Sequence, residues 1–110
     1  MMVRGRRALV VAAGATFALA ATWPVSLAGA ALYWGDVLLY FLPATEFLRR
    51  ELLAGRIPLW NPYVLCGQPF VGNPQASVFY PTTALLPMMS ATGFLALNAA
   101  LHVGIAWAGA

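Results

Sequence analysis

Polar and apolar positions along this chain separate into long blocks. After a basic head at residues 1–7, MMVRGRR, residues 8–34 contain no Asp, Glu, Lys, Arg or His. About 20 apolar residues cross a bilayer as a helix, and a stretch rich in Ala, Val and Leu favours that conformation. The pattern predicts a first transmembrane helix over 8–34, with Pro24 as a point where it kinks or ends. Trp23, Tyr33 and Trp34 suit an interfacial aromatic belt at the far end. Arg4, Arg6 and Arg7 hold the near end in the cytoplasm by the positive-inside rule. The same start also fits a cleaved leader, because Ala28-Gly29-Ala30 has the small-residue spacing of a cleavage site. The apolar block is longer than the roughly 7–15 residues of a leader core, which favours a retained helix.

A second pattern follows. Pro43 suits the first turn of a helix over residues 43–54, on which Ala44, Phe47, Leu48 and Leu52 recur at helical spacing. Glu46 and Arg50 stand four apart, as paired charges do on a helix surface. Gly55 is placed to cap the end, and Pro58 blocks continuation. One charged and one apolar face predict an amphipathic helix at the membrane surface. Residues 83–110 then form another long apolar block, with Asn98 and His102 its strongly polar groups, and predict a second transmembrane helix. The expected fold is an all-α membrane protein. Two transmembrane helices are joined by an outer loop, residues 35–82, holding the surface helix and an irregular segment rich in proline and aromatics.

That irregular segment, residues 55–81, carries five of the eight prolines, Pro58, Pro62, Pro69, Pro74 and Pro81, and a single charge, Arg56. Flexible linkers are instead rich in Ser, Lys and Glu. Asn61-Pro62, Cys66-Gly67-Gln68-Pro69 and Gly72-Asn73-Pro74 are turn signals, since Pro fixes φ and Gly supplies positive φ. An ordered loop packed against something is expected.

Composition agrees: of 110 residues, 62% are hydrophobic and 8% charged, whereas soluble domains carry about a quarter charged. The net charge of +3 comes from arginine clusters flanking apolar segments, so no nucleic-acid partner is expected. Cys66 is the only cysteine, which excludes an intrachain disulfide and fits an apolar packing residue.

Few residues carry chemistry. Asp36, beside Gly35 and bracketed by Tyr33, Trp34 and Tyr40, is either the N-cap of the residues after it or a carboxylate that binds a cation or sugar hydroxyl. Arg49, Arg50 and Arg56 suit a phosphate, by bidentate contact, or simply lipid headgroups. Asn98 and His102 either mark a functional bundle interior or bond to each other or a neighbouring helix. Trp60, with Tyr63 and Phe70, offers a sugar-stacking platform beside Asn61 and Gln68, or a set of rings that anchors the loop among headgroups. No metal-ligand cluster, phosphate loop or Ser/His/Asp arrangement is present.

The run from Gly35 to Leu86 resembles the first outer loop of YfhO-like bacterial multi-pass membrane proteins. The matching pieces are Gly35-Asp36, Pro43, Gly55, Pro58-Leu59-Trp60-Asn61-Pro62-Tyr63, Gly67-Gln68-Pro69, Asn73-Pro74-Gln75 and Tyr80-Pro81. That family is similar to the GT-C class of integral-membrane glycosyltransferases, which take a sugar from a polyprenyl-phosphate carrier at the outer face. The resemblance implies that the chain is the N-terminal part of such a protein, in the bacterial plasma membrane, acting on cell-envelope glycans with the remaining helices of a longer chain. Asp36 would be the catalytic residue, as general base on the acceptor hydroxyl or as ligand of a divalent cation. GT-C loops often show two acidic residues together, whereas Val37 follows Asp36 here, which tells against the cation. Arg49, Arg50, Trp60, Asn61 and Gln68 would bind the lipid-linked sugar. The competing expectation is a non-catalytic multi-pass membrane protein whose loop binds a lipid-linked saccharide or partner subunit.

Overall fold

The computed structural model describes residues 2–26 and 35–109. Three α-helices organise them: α1 (Met2–Ser26), α2 (Leu42–Leu53) and α3 (Ala91–Gly109). Two-residue strands, β1 (Trp60–Asn61) and β2 (Gln68–Pro69), pair antiparallel with Trp60 opposite Pro69 and Asn61 opposite Gln68. The chain divides into two compact units, one made of α1 with α3 from Leu95 onward, the other the loop unit, which ends at Phe94.

In the helical unit, α1 begins at Met2, inside the basic head, and stays helical across Pro24. The proposed cleavage site at residues 28–30 and the aromatics Tyr33 and Trp34 lie outside the described residues. Gly14 is the close-approach point between the two helices. A Cβ there would stand 2.1 Å from Cδ1 of Trp107, so only glycine admits the indole. Trp107 also stacks on Phe17, with ring centroids 5.2 Å apart, and donates its Nε1–H to the Val10 carbonyl at 3.3 Å. Of the described helices, α3 is long and apolar enough to cross a membrane; in α1 the comparable stretch is the shorter Ala8–Ala20. The 19 residues of α3 rise about 28 Å at 1.5 Å each, close to the roughly 30 Å hydrocarbon core. Only 17% of its apolar window is buried, unlike the core helix of a soluble domain.

The loop unit opens with a π-helical turn, Val37–Phe41, that runs without a break into α2. Pro43 explains the widening. Proline lacks an N–H, and its ring would meet the carbonyl of Leu39 in regular α-geometry; an i→i+5 turn relieves that contact, and Leu42 N–H bonds instead to the Val37 carbonyl. The helix therefore starts upstream of the predicted residue 43. Its end is as the glycine implies: Gly55 at φ +70, with Gly55 N–H on the Leu52 carbonyl at 3.0 Å and Arg56 N–H on the Glu51 carbonyl at 2.9 Å, a Schellman cap.

The segment from 81 onward differs from expectation. Residues 83–110 do not form one helix: Pro81–Met88 is a 3-10 helix, and α3 starts only at Ala91. Pro87 and Ser90 are the causes. Proline removes a helical N–H, and Ser90 accepts the Gly93 N–H on its hydroxyl at 3.1 Å, the N-cap geometry that begins a new helix.

What these pieces share is one core. Ala44 and Leu48 of α2, Phe70 after β2, Ala76, Leu86 of the 3-10 helix and Phe94 of α3 are buried together, with Phe47, Leu52, Val78 and Met89 packed around them. Phe47 meets Phe70 edge-on at 5.0 Å. Arg49 closes the structure by donating from Nε to the Met89 carbonyl at 2.7 Å.

Leu86 is 0% exposed and Leu85 42%, which yields a register-sensitive prediction. Leu86→Ala should cost about 2–5 kcal/mol of loop stability, as large-to-small changes in packed cores do. Leu85→Ala should cost far less. Denaturant unfolding of the two variants in detergent checks the difference; equal losses would mean that the 3-10 segment does not pack as described.

Candidate functional site

Five loop residues were expected to bind substrate and one to act chemically, and the fold distributes them unevenly. The hairpin gathers Trp60, Asn61 and Gln68. Asn61 is 2% exposed, and its Oδ1 accepts the Tyr63 N–H at 3.0 Å, the Asx turn that an Asn-Pro pair favours. Asn61 therefore holds the turn. Trp60 lies against the backbone of Gly67, where a Cβ would fall 2.7 Å from its Nε1 and Cζ2. Gly67, at φ +103, is thus fixed twice, by backbone and by the indole. Gln68 is half-buried in β2.

Between α2 and the hairpin runs a groove of about 480 Å³, lined by Leu39, Pro43, Glu46, Phe47, Arg50, Glu51, Asn61, Tyr63 and Val64. Phe47 and Tyr63 meet edge-on in it at 6.0 Å. Two carboxylates, one guanidinium, a phenol and an aromatic wall are groups that engage the hydroxyls and apolar faces of a sugar. Arg50 and Asn61 are the expected residues on it. Asp36, Arg49, Trp60 and Gln68 do not line it.

The arginines are already partnered. Arg50 Nε donates to Glu46 at 2.9 Å, confirming the i, i+4 pair; Arg49 Nη1 stands 3.9 Å from the same carboxylate and Arg49 also holds Met89. Arg56 grips Glu51 with two hydrogen bonds, at 2.8 and 2.9 Å. The hydrogen bonds from Arg56 hold the Glu51 carboxyl below its ordinary range, against an opposing effect of desolvation, and the same pairing raises Arg56. A phosphate bound here would compete with these carboxylates, and Arg50 is the most exposed competitor site.

Asp36 is exposed, at the helical turn preceding the π-turn, and makes no side-chain capping hydrogen bond. The N-cap reading of this residue is therefore corrected: its own backbone is already helical, at φ −61 and ψ −28, and an N-cap needs an extended conformation. Among the described residues no group of three His, Cys, Asp or Glu side chains stands together as a metal site would. His102 Nδ1 is 2.6 Å from the Asn98 carbonyl, one turn back on α3.

Sequence reasoning placed Tyr40 only as a neighbour of Asp36 and missed its partner. Its hydroxyl takes a hydrogen bond from Nδ2 of Asn73, while Oδ1 of Asn73 accepts the Gln75 N–H at 2.9 Å and caps the short 3-10 turn Pro74–Ala76. One amide thus joins the π-turn after Asp36 to the Asn73-Pro74-Gln75 motif. The signal was the amide in a turn motif; its partner, 33 residues back, was not legible.

Comparison with family models, curated proteins and solved structures finds no match to this chain.

The Glu51–Arg56 pair sets an acid-side prediction. A carboxyl whose pKa is lowered by folding contributes stability above the ordinary glutamate range, and that contribution is lost as pH falls through the lowered folded value. Glu51→Gln should flatten the acid limb of the melting-temperature profile. Because Arg56 is exposed to solvent, the change is small; an unchanged acid limb would mean that the pair contributes nothing to folding stability.

Proposed function

We propose that the chain is the N-terminal part of an integral-membrane, polyprenyl-phosphate-sugar-dependent glycosyltransferase acting on cell-envelope glycans. In this reading α1 and α3 cross the bacterial plasma membrane, the N-terminus is cytoplasmic, and the loop unit faces outward. The exposed apolar side chains on both helices, among them Leu9, Val11, Phe17, Leu101 and Ile105, support a lipid surround.

The observation that carries the reading is Asp36. An exposed carboxylate that does not cap its helix has lost the structural role its residue type suggests. Its position at the start of the outer loop is the one that the likeness to GT-C enzymes assigns to the acidic catalytic residue. As general base it takes the proton of the acceptor hydroxyl. The acceptor oxygen then bonds to the anomeric carbon, and the carbon–oxygen bond to the polyprenyl phosphate breaks, releasing the lipid phosphate. Arg50 would attract that phosphate, and helices of a longer chain would complete the pocket.

A second reading keeps the location and drops the chemistry: the loop binds a lipid-linked saccharide without transferring it. It is favoured by the fact that Asp36 does not line the groove holding Arg50, Asn61 and Tyr63.

Asp36→Asn in the full-length protein separates the two. Sugar transfer from a polyprenyl-phosphate donor should fall about 10²-fold or more, the usual size of a lost general base, with donor binding retained. Transfer at the wild-type rate contradicts the catalytic assignment. Donor binding without transfer in either form supports the second reading.

A further inference from the structure

The hairpin raises a question that neither groove nor carboxylate answers. Its outward residues are apolar: Ile57, Leu59, Trp60, Tyr63 and Leu65 are all exposed, Tyr63 and Leu65 at 83% each and Trp60 at 54%. No Asp, Glu, Lys or Arg follows Arg56. Singly exposed leucines are ordinary, but a run of large apolar residues on one projecting element marks an interaction site.

Leu65 is the most telling of them. It sits at φ +50 and Cys66 at φ +60, before Gly67. The left-handed region suits Gly, Asn and Asp and strains other residues. A turn facing water would therefore carry Asn or Asp at Leu65, gaining both backbone comfort and hydration. Leucine has neither advantage there. It becomes favourable only where its side chain leaves water.

The element that presents it is stiff. β1 and β2 pair, Phe70 N–H bonds to the Leu59 carbonyl at 2.9 Å, Gly67 N–H bonds to the Val64 carbonyl at 2.8 Å, and Trp60 fills the space over Gly67. The tip is thus preorganised, and burying it orders little that is not already ordered.

We infer that this hairpin inserts its tip, around Tyr63–Cys66, into the outer leaflet at the headgroup–acyl boundary. The inference rests on reading α3 as a span. The occupant is a bilayer for three reasons. The loop unit runs directly into α3, so it is tethered at the bilayer surface. Trp60 and Tyr63 are the amphipathic rings that the interface concentrates. The inserting segment itself carries no charge, and the charged side chains that share the groove with Tyr63 and Val64 are already paired, Glu46 with Arg50 and Glu51 with Arg56. On this inference Trp60 anchors the loop among headgroups and does not stack on a sugar.

Cys66 supplies the test. It is free, exposed and next to Leu65. The full-length protein, with any cysteine outside these residues replaced, is labelled there with an environment-sensitive fluorophore and reconstituted into phosphatidylcholine–phosphatidylglycerol vesicles. Lipids bearing a nitroxide near the headgroup should quench the label at least threefold more than deep nitroxides do, and aqueous iodide should quench it at least fivefold less than it quenches the free dye. Leu65→Asn, which suits the left-handed backbone and so keeps the fold, should restore iodide quenching. A label reached by iodide as freely as the dye overturns the inference, and so does one shielded from both quenchers, which would mean that protein covers the tip. A second label at Ala99→Cys, in a Cys66→Ser background, reports on α3. Iodide access at the tip with α3 in lipid defeats this inference alone, whereas iodide access at both defeats the membrane reading beneath it.

Discussion

The loop unit depends on one buried contact set, in which Leu48, Phe70 and Leu86 close on one another. These three side chains come from α2, from the residue after β2, and from the 3-10 helix, and each is at most 1% exposed. The ion pairs lie at the surface, where such pairs contribute little, and the strands are two residues long. Burial of three large apolar groups contributes about 1.5–3 kcal/mol each, and that packing fixes where the groove, the hairpin and the π-turn stand.

Around that core, polar groups act as fasteners. Arg49 ties α2 to the carbonyl of Met89. Thr83, almost fully buried, donates its hydroxyl to the Ser77 carbonyl at 2.7 Å, meeting the need for a partner that burial imposes. Asn73 divides its amide between a helix cap and Tyr40. These contacts make a segment almost free of charge hold one shape. They also consume groups that looked available for ligands: of the three loop arginines, none lacks a carboxylate or carbonyl partner.

Local rules in the sequence made part of this legible. The amphipathic spacing of Ala44, Phe47, Leu48 and Leu52, the Gly55 cap and the Asn-Pro turns each depend on residues within a few positions of one another, and they appear in the structure close to where the spacing puts them. The hairpin was hidden because Trp60 and Pro69 meet only through the turn between them. The 3-10 segment was hidden because its residues are as apolar as those of a membrane span; Pro87 and Ser90 were the readable signals, outweighed by hydrophobicity. Asp36 was legible as a candidate, but its helical backbone, which takes away the capping role, was not. The groove was not legible, because it joins Glu46 and Arg50 to Tyr63 by packing alone.

Backbone hydrogen exchange on the protein in a lipid nanodisc tests the central claim, that a single apolar core makes the loop one cooperative unit. The amides of Phe70, Ala76 and Thr83 bond within the loop and should exchange slowly, in step with the amides of α2. Fast exchange across residues 68–89 while α2 stays protected would contradict the account, since the loop would then be a set of local turns with no common core.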